Sequence, residues 1–212
     1  MKLFHIVTEA DARVLEYGST IALAPGGHVT PLALDTLQAR RILVVREGAD
    51  VDVASLAPVS RIERVAVAGD HSSLALKAAI LSHLRAKGLA AEDLGTHSKE
   101  PVDYPDTAAA AALQVARHQA DAGIVIDGSG LGSAIAANKV PGIRAAMCST
   151  PTLARYGREH NGINVLALGV TIVGPDEALA IVDAFLHTPM REPRYIRRLG
   201  LIRELERRAR VP

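Results

Sequence analysis

The stretch that most constrains this chain is Ile124-Val-Ile-Asp-Gly-Ser-Gly-Leu-Gly-Ser-Ala-Ile-Ala-Ala-Asn-Lys139. It begins as an apolar run, breaks at Asp127–Gly132, and resumes as an alanine-rich run. A buried strand feeding a glycine turn that opens a helix aims bare backbone N–H groups at the turn, which suits a phosphate or an oxyanion formed during a reaction. Asp127 is the one ionisable side chain there. A dinucleotide fingerprint does not fit. The spacing is Gly-x-Gly-x-Gly, it follows a third strand, and about 20 residues on, where an acidic residue is needed, the chain reads Cys148-Ser-Thr150. The Gly-Lys-Ser/Thr of a phosphate-binding P-loop is missing, and so is the Gly-x-Ser-x-Gly elbow that would make Ser129 a hydrolase nucleophile.

Around this turn, apolar runs alternate with helical stretches. Strands are predicted at 65–68, 90–94, 123–126, 143–148 and 164–168, and helices at 73–87, 105–118, 131–139, 151–159 and 175–186. Such alternation implies right-handed βαβ units and an α/β fold with a five-stranded parallel sheet covered on both faces. Aromatics are 3% of a chain that is 49% hydrophobic, so its helices and strands must pack through Ala, Val, Ile and Leu, as parallel sheets do. A flavodoxin-like strand order, 2-1-3-4-5, would set the loops after strands 1 and 3 side by side at the switch point. Gly69-Asp70-His71 and the Asp127 turn would then share one crevice.

Residues 1–60 read as a small α/β appendage and linker, ahead of a main domain at 61–212. Thr8 and Asp11 have capping-box spacing, and Gly18 is placed to end that helix. A strand is expected at 19–25, a turn at Gly26-Gly27, and a helix over 32–41 after the Thr30 cap and Pro31. A strand at 42–45 and a mixed linker over 46–60 follow. The segment Leu23-Ala-Pro-Gly-Gly-His-Val-Thr-Pro31 resembles N-terminal modules on bacterial microcompartment proteins. A docking or oligomer-stabilising extension without chemistry fits better.

The last stretch, 191–212, holds eight arginines and three glutamates. Arg194 and Arg198 are one helical turn apart, on one face. They could clamp a phosphate through their guanidinium forks, or simply solvate a packing helix. Asp70-His71 on its own reads as a helix cap with a surface histidine, and His160-Asn161 as the end of a helix. The lone Cys148 reads as a small buried hydrophobe, and no spacing of histidines and carboxylates makes a metal site. Net charge is +1, which gives no pull toward nucleic acid or membrane. No apolar run approaches the ~18 residues of a membrane span, and the N-terminus lacks a signal-peptide core. A cytoplasmic location is expected.

These residues together resemble the type B ribose-5-phosphate isomerases and galactose-6-phosphate isomerase subunits, from about Arg64 to Arg208. The likeness rests on Ala68-Gly-Asp-His71, Asp93-Leu-Gly-Thr96, Val102-Asp-Tyr-Pro105, Gly128-Ser-Gly130, Ile135-Ala-Ala-Asn-Lys-Val-Pro-Gly-Ile-Arg-Ala-Ala146, Arg158-Glu-His-Asn161 and Asn164-Val-Leu166. It implies a Rossmann-like three-layer α/β/α sandwich, a homodimer or homotetramer with its site between subunits, and a sugar-phosphate substrate with no metal or organic cofactor. It implies Asp70 and His71 on the sugar hydroxyls or phosphate and Tyr104 lining the pocket. Ser129, with the N–H groups of the Gly128–Gly132 turn, Gly130 among them, would hold the enediolate oxygen. His160 would open the ring beside Asn161, and Arg194 and Arg198 would hold the phosphate.

The departures are as informative as the matches. Asp127 stands where the family keeps a catalytic cysteine, and Ser133 where some members have a glutamate. Thr171 and Tyr195 replace a phosphate-binding arginine and a histidine, and Ser72-Ser73 replaces a usual Ala-Gly. Asp127 is expected to serve as the enolisation base. The alternative is a sugar-phosphate-binding or scaffold protein without activity.

Overall fold

Local signals build the smaller part of the chain. In the computed structural model, which describes residues 3–40, 42–46 and 56–208, the chain divides into two units, Met1–Asp52 and Val53–Pro212. The first unit runs β1 Leu3–Val7, α1 Glu9–Val14, β2 Thr20–Val29, α2 Pro31–Ala39 and β3 Leu43–Arg46, with its parallel strands in the order β1-β2-β3. Thr8 and Asp11 form the expected capping box, and Thr30 caps α2 with Pro31 in its first turn. Phe4, Val7, Ile21, Leu23 and Leu37 make its core.

Three expectations for this unit need correction. Strand β1 was not anticipated, because five residues broken by His5 carry little pattern. Gly26-Gly27 is not a turn between elements but a bulge within β2, where the pairing slips from Phe4–Leu23 to Ile6–His28. Gly18 does not end α1, which stops at Val14 with Leu15 extended. Residues 47–55 of the expected linker lie outside the described residues.

The second unit continues β4 Arg64–Gly69, α3 Leu74–Ala86, β5 Ala90–Asp93, α4 Tyr104–Ala116, β6 Ala122–Asp127, α5 Leu131–Ala137, β7 Ala145–Met147, α6 Pro151–Asn161, β8 Val165–Gly169, α7 Pro175–His187 and α8 Pro193–Arg208. Its five strands are all parallel. Their order is β5-β4-β6-β8-β7, so the last two strands exchange places relative to the expected 2-1-3-4-5. The physical reason is burial. Every residue of β8 is buried, whereas the three residues of β7 are half-buried, so β8 takes the central position and β7 the edge.

Large and small residues alternate along the central strands and set the two flanking layers. Val65, Val67, Ile124, Ile126, Leu166 and Leu168 face α3, α6 and α7, meeting Ile80, Leu84, Ile181 and Phe185. Ala66, Ala68, Val125 and Ala167 face α4 and α5, meeting Ala108, Ala111, Ala112 and Ala137. The alanine face lets α4 and α5 approach the sheet closely, and this brings the start of α5 against the strand ends. Among the described residues, no helix is long and apolar enough to cross a membrane.

Candidate active site

Two carboxylates stand at the ends of neighbouring strands at the switch point. Gly69 pairs with Ile126, and the Asp70 N–H donates to the Ile126 carbonyl at 3.1 Å. Asp70 therefore lies beside Asp127 at the C-terminal edge of the sheet, as the strand order of β4 and β6 requires. Asp70 is 8% exposed. Its Oδ1 accepts the Ser72 N–H at 2.9 Å and the Ser72 hydroxyl at 2.6 Å, which gives the departure at Ser72 a task.

Asp127 is 4% exposed. Its Oδ1 accepts the N–H groups of Ser129, at 2.7 Å, and Gly130, and its Oδ2 accepts the Ser133 N–H at 2.7 Å. Burial alone would push the carboxyl up. The nearby Ser133 hydroxyl and the three N–H donors outweigh it and hold Asp127 below the usual carboxylate range. The Ser133 Oγ lies beside the carboxylate without reaching hydrogen-bond geometry. This corrects the reading of the turn. The amides of Ser129 and Gly130, expected on an enediolate oxygen, are engaged by Asp127, and the Leu131 N–H goes to the Ser129 Oγ at 3.2 Å. The turn is fixed by Gly130, whose φ is +78° and whose Cβ, if it had one, would meet the Leu168 carbonyl carbon at 2.9 Å.

Around the turn, His71 Nδ1 accepts the Val102 N–H at 3.3 Å. That bond assigns the ring proton to Nε2 when the imidazole is neutral, leaving Nε2–H as a donor. Tyr104, at the start of α4, is 41% exposed. Its ring lies on Gly132, where a Cβ would come within 2.6 Å of Tyr104 Cε2. Thr171 donates its hydroxyl to the Gly128 carbonyl at 2.6 Å, and its N–H at 3.0 Å. The position of a missing arginine thus pins the glycine turn to the loop after β8. Cys148 does not replace the missing cysteine, because burial pushes its thiol up to about 11.

A second cluster forms on α6 and α8. His160 stacks on Tyr156 at 5.0 Å and meets Tyr195 at 4.5 Å. Arg194 and Arg198 lie over the Tyr195 ring at 4.7 and 5.6 Å, and Arg194 Nη2 donates to the Tyr195 hydroxyl at 3.0 Å. A cleft of about 570 Å³ opens between His160, Asn161, Tyr195, Arg198 and Ile202. Buried Arg158 braces the end of α6, donating to the carbonyls of Ile163 at 2.9 Å and Val59 at 3.0 Å. Burial, with nearby Arg144 adding repulsion, lowers Arg158 to about 10.

The structure therefore brings Asp70, His71, Tyr104, Asp127, Ser129 and the glycines together, and separately His160, Asn161, Arg194 and Arg198. It does not join the two groups within one chain. Helix α6 leaves the C-terminal end of β7 and returns to the N-terminal end of β8, so His160 sits at the opposite edge of the sheet from Asp127. Its 11 residues span about 16 Å. Sequence reasoning named Ser72, Thr171 and Ser133 only as departures and gave none of them a role in the site. The Asp-Gly-Ser spacing did carry one signal, an aspartate that bonds the amide two residues on.

The sequence profile described as Ribose/Galactose Isomerase matches residues 65–202. Ribose-5-phosphate isomerase B of Escherichia coli (strain K12) is 43% identical over 146 residues, covering 69% of this chain and 98% of the relative. Among solved structures, ribose-5-phosphate isomerase B of Clostridium thermocellum aligns with a TM-score of 0.67 at 46% identity, over 68% of this chain and 98% of that one. The Mycoplasma genitalium enzyme with bound ribulose-5-phosphate aligns with a TM-score of 0.65 at 37% identity, over 68% and 95%.

Proposed function

Because the chain belongs to the ribose/galactose isomerase family, we propose that it interconverts an aldose phosphate and its ketose phosphate, of the ribose 5-phosphate/ribulose 5-phosphate type, with Asp127 as the base. The observation that carries this reading is the placement of Asp127. It is buried and held ionised at the head of the glycine turn, beside Asp70, at the ends of two adjacent strands.

The chemistry follows from what each group can do. Asp127 Oδ1 accepts two N–H bonds and Oδ2 one, so Oδ2 is the oxygen with a lone pair to spare. It takes the proton from carbon 2, the C–H electron pair forms the C1–C2 double bond, and the carbonyl oxygen becomes an oxyanion. Once the hydroxyl proton on O2 passes to O1, return of the first proton to carbon 1 lets the C2–O bond become the carbonyl and gives the ketose. Asp70 Oδ2 and the His71 Nε2–H hold sugar hydroxyls, Tyr104 covers the turn, and the Ser129 O–H is available to the oxyanion. His160 opens the ring beside Asn161, while Arg194 and Arg198 bind the phosphate. These last groups stand at the far edge of the sheet, so a second copy of the chain supplies them, in a homodimer or homotetramer.

One observation favours a second reading, of a sugar-phosphate-binding protein without activity. The three N–H donors on Asp127 weaken it as a base. The two readings separate when the protein is incubated in heavy water with ribose 5-phosphate, allose 6-phosphate, galactose 6-phosphate and tetrose phosphates. Isomerisation with deuterium entering at carbon 2 is expected for one of them. Binding without exchange across the panel would overturn the isomerase in favour of the binder. The same proposal places the protein in the cytoplasm, with the first unit as a microcompartment-docking module. A tagged chain lacking that unit is expected to lose a particulate location while keeping activity.

A further inference from the structure

Asp127 presents a chemical problem that its neighbours must solve. Its three backbone partners, the N–H groups of Ser129, Gly130 and Ser133, can only donate. Each favours the carboxylate over the carboxylic acid, so together they oppose the uptake of a proton. One neighbour differs from them. The Ser133 side chain is 0% exposed and its Oγ has no hydrogen-bond partner, although its own N–H lies 2.7 Å from Asp127 Oδ2. Buried hydroxyls are rarely left unpaired, and an orphan beside a working carboxylate calls for a reason. A hydroxyl is donor and acceptor at one atom, and it changes role by rotating about Cβ–Oγ.

We propose that Ser133 is a positioning residue for the general base, its hydroxyl donating to the Asp127 carboxylate before proton abstraction and accepting the O–H of the carboxylic acid afterwards. This inference rests on the reading of Asp127 as the base. The balance is simple. The C2–H bond breaks, its electron pair enters the C1–C2 bond, the C1–O π pair moves onto the carbonyl oxygen, and the proton forms an O–H on Asp127 Oδ2. Ser133 loses and gains no proton; it only turns. The reverse turn accompanies delivery of the proton to carbon 1. No backbone amide can follow this change, whereas the hydroxyl keeps a hydrogen bond to the carboxyl, and so its orientation, in both protonation states. The proximity of this hydroxyl is also part of what holds Asp127 low in the free protein. The other titratable groups around the strand end are Asp70 after β4, His71 in the same loop, Tyr104 at the start of α4 and Cys148 after β7.

The test is Ser133→Ala in the full chain, with three readouts. The first is a carbon-13 NMR titration of the Asp127 carboxyl, assigned by its loss in Asp127→Asn. The second is kcat and KM on the sugar phosphate that the wild type turns over. The third is thermal stability. The titration is expected to move to higher pH. kcat is expected to fall roughly 10- to 100-fold, the effect of one hydrogen bond to a charged group, with KM nearly unchanged. Stability at neutral pH is expected to drop by no more than the titration shift implies, since raising the folded pKa of Asp127 removes that much of its stabilising ionisation. An unchanged titration and unchanged kcat, in a variant whose only difference is stability, would overturn the role. Failure of the underlying reading looks different: the wild type itself would show no exchange at carbon 2.

Discussion

The ring of Tyr195 stands 4.5 Å from the imidazole of His160, tilted by 37°, and carries both Arg194 and Arg198 over it. A residue on α8 thus ties the histidine proposed to open the ring to the arginines proposed to hold the phosphate. Stacking contributes about 0.5–1.5 kcal/mol and each cation–π contact about 0.5–1 kcal/mol at an exposed site. Tyr195→Ala is therefore expected to lower kcat/KM roughly 10- to 100-fold by steady-state kinetics. Tyr195→Phe keeps the stack, loses only the Arg194 bond to the hydroxyl, and should stay within about threefold.

Asp127→Asn should abolish exchange at carbon 2 and also cost stability, because an amide nitrogen cannot accept the N–H bonds the carboxylate accepts. About 1.5–3 kcal/mol is expected at neutral pH from denaturant titration. The sign of the pH dependence follows from the lowered Asp127 value. A carboxyl whose folded pKa lies below its unfolded value stabilises above the unfolded pKa, about 3.9, and that contribution disappears as pH falls through the folded value. The stability gap between wild type and variant should stay constant from neutral pH down to about 5 and close in stronger acid. Likewise, no acid limb above about pH 4 in kcat/KM should belong to Asp127, in contrast to a thiol base titrating near 8.5.

Two hydrogen bonds within the second unit set where the chain can be cut. Arg144 Nη2 donates to the Leu56 carbonyl at 3.1 Å and Arg158 Nη2 to the Val59 carbonyl at 3.0 Å. Removing residues 1–52 leaves both acceptors in place, and the remaining domain should unfold at the same temperature as in the full chain. Removing residues 1–60 strips them from two largely buried guanidinium groups. The expected loss is about 1–3 kcal/mol for each orphaned donor, seen as a lower melting temperature. Equal stability of the two truncations would mean these bonds carry no weight.

Much of this was legible in the chain itself, for physical reasons. The apolar runs and caps of the larger unit depend on local pattern, and its strands and helices fall close to where the periodicity puts them. Asp70 and Asp127 follow from any order that pairs strands 1 and 3. The exchange of the last two strands does not follow from alternation. It is decided by the full burial of Val165–Gly169 against the short, half-exposed Ala145–Met147. Nor does an alanine-rich run beginning at Leu131 reveal that its first amides turn back onto Asp127, since that depends on the placement of α5 against the sheet. The likeness around His160, Arg194 and Arg198 named residues for one site. Only the return path of α6 shows that a single chain holds them away from Asp127.

That separation has a consequence for how damage to the protein is inherited by its assemblies. In the proposed assembly, where a site would take its base from one copy and its phosphate arginines from another, a lesion belongs to a subunit while the defect belongs to a pair. Asp127→Asn and Arg198→Ala, each inactive alone, would combine in a two-fold symmetric dimer so that one site collects both lesions and the other collects none. Mixed in equal amounts and allowed to exchange, the two dead proteins should recover about a quarter of wild-type activity. Two chains that fail separately would thus work in company.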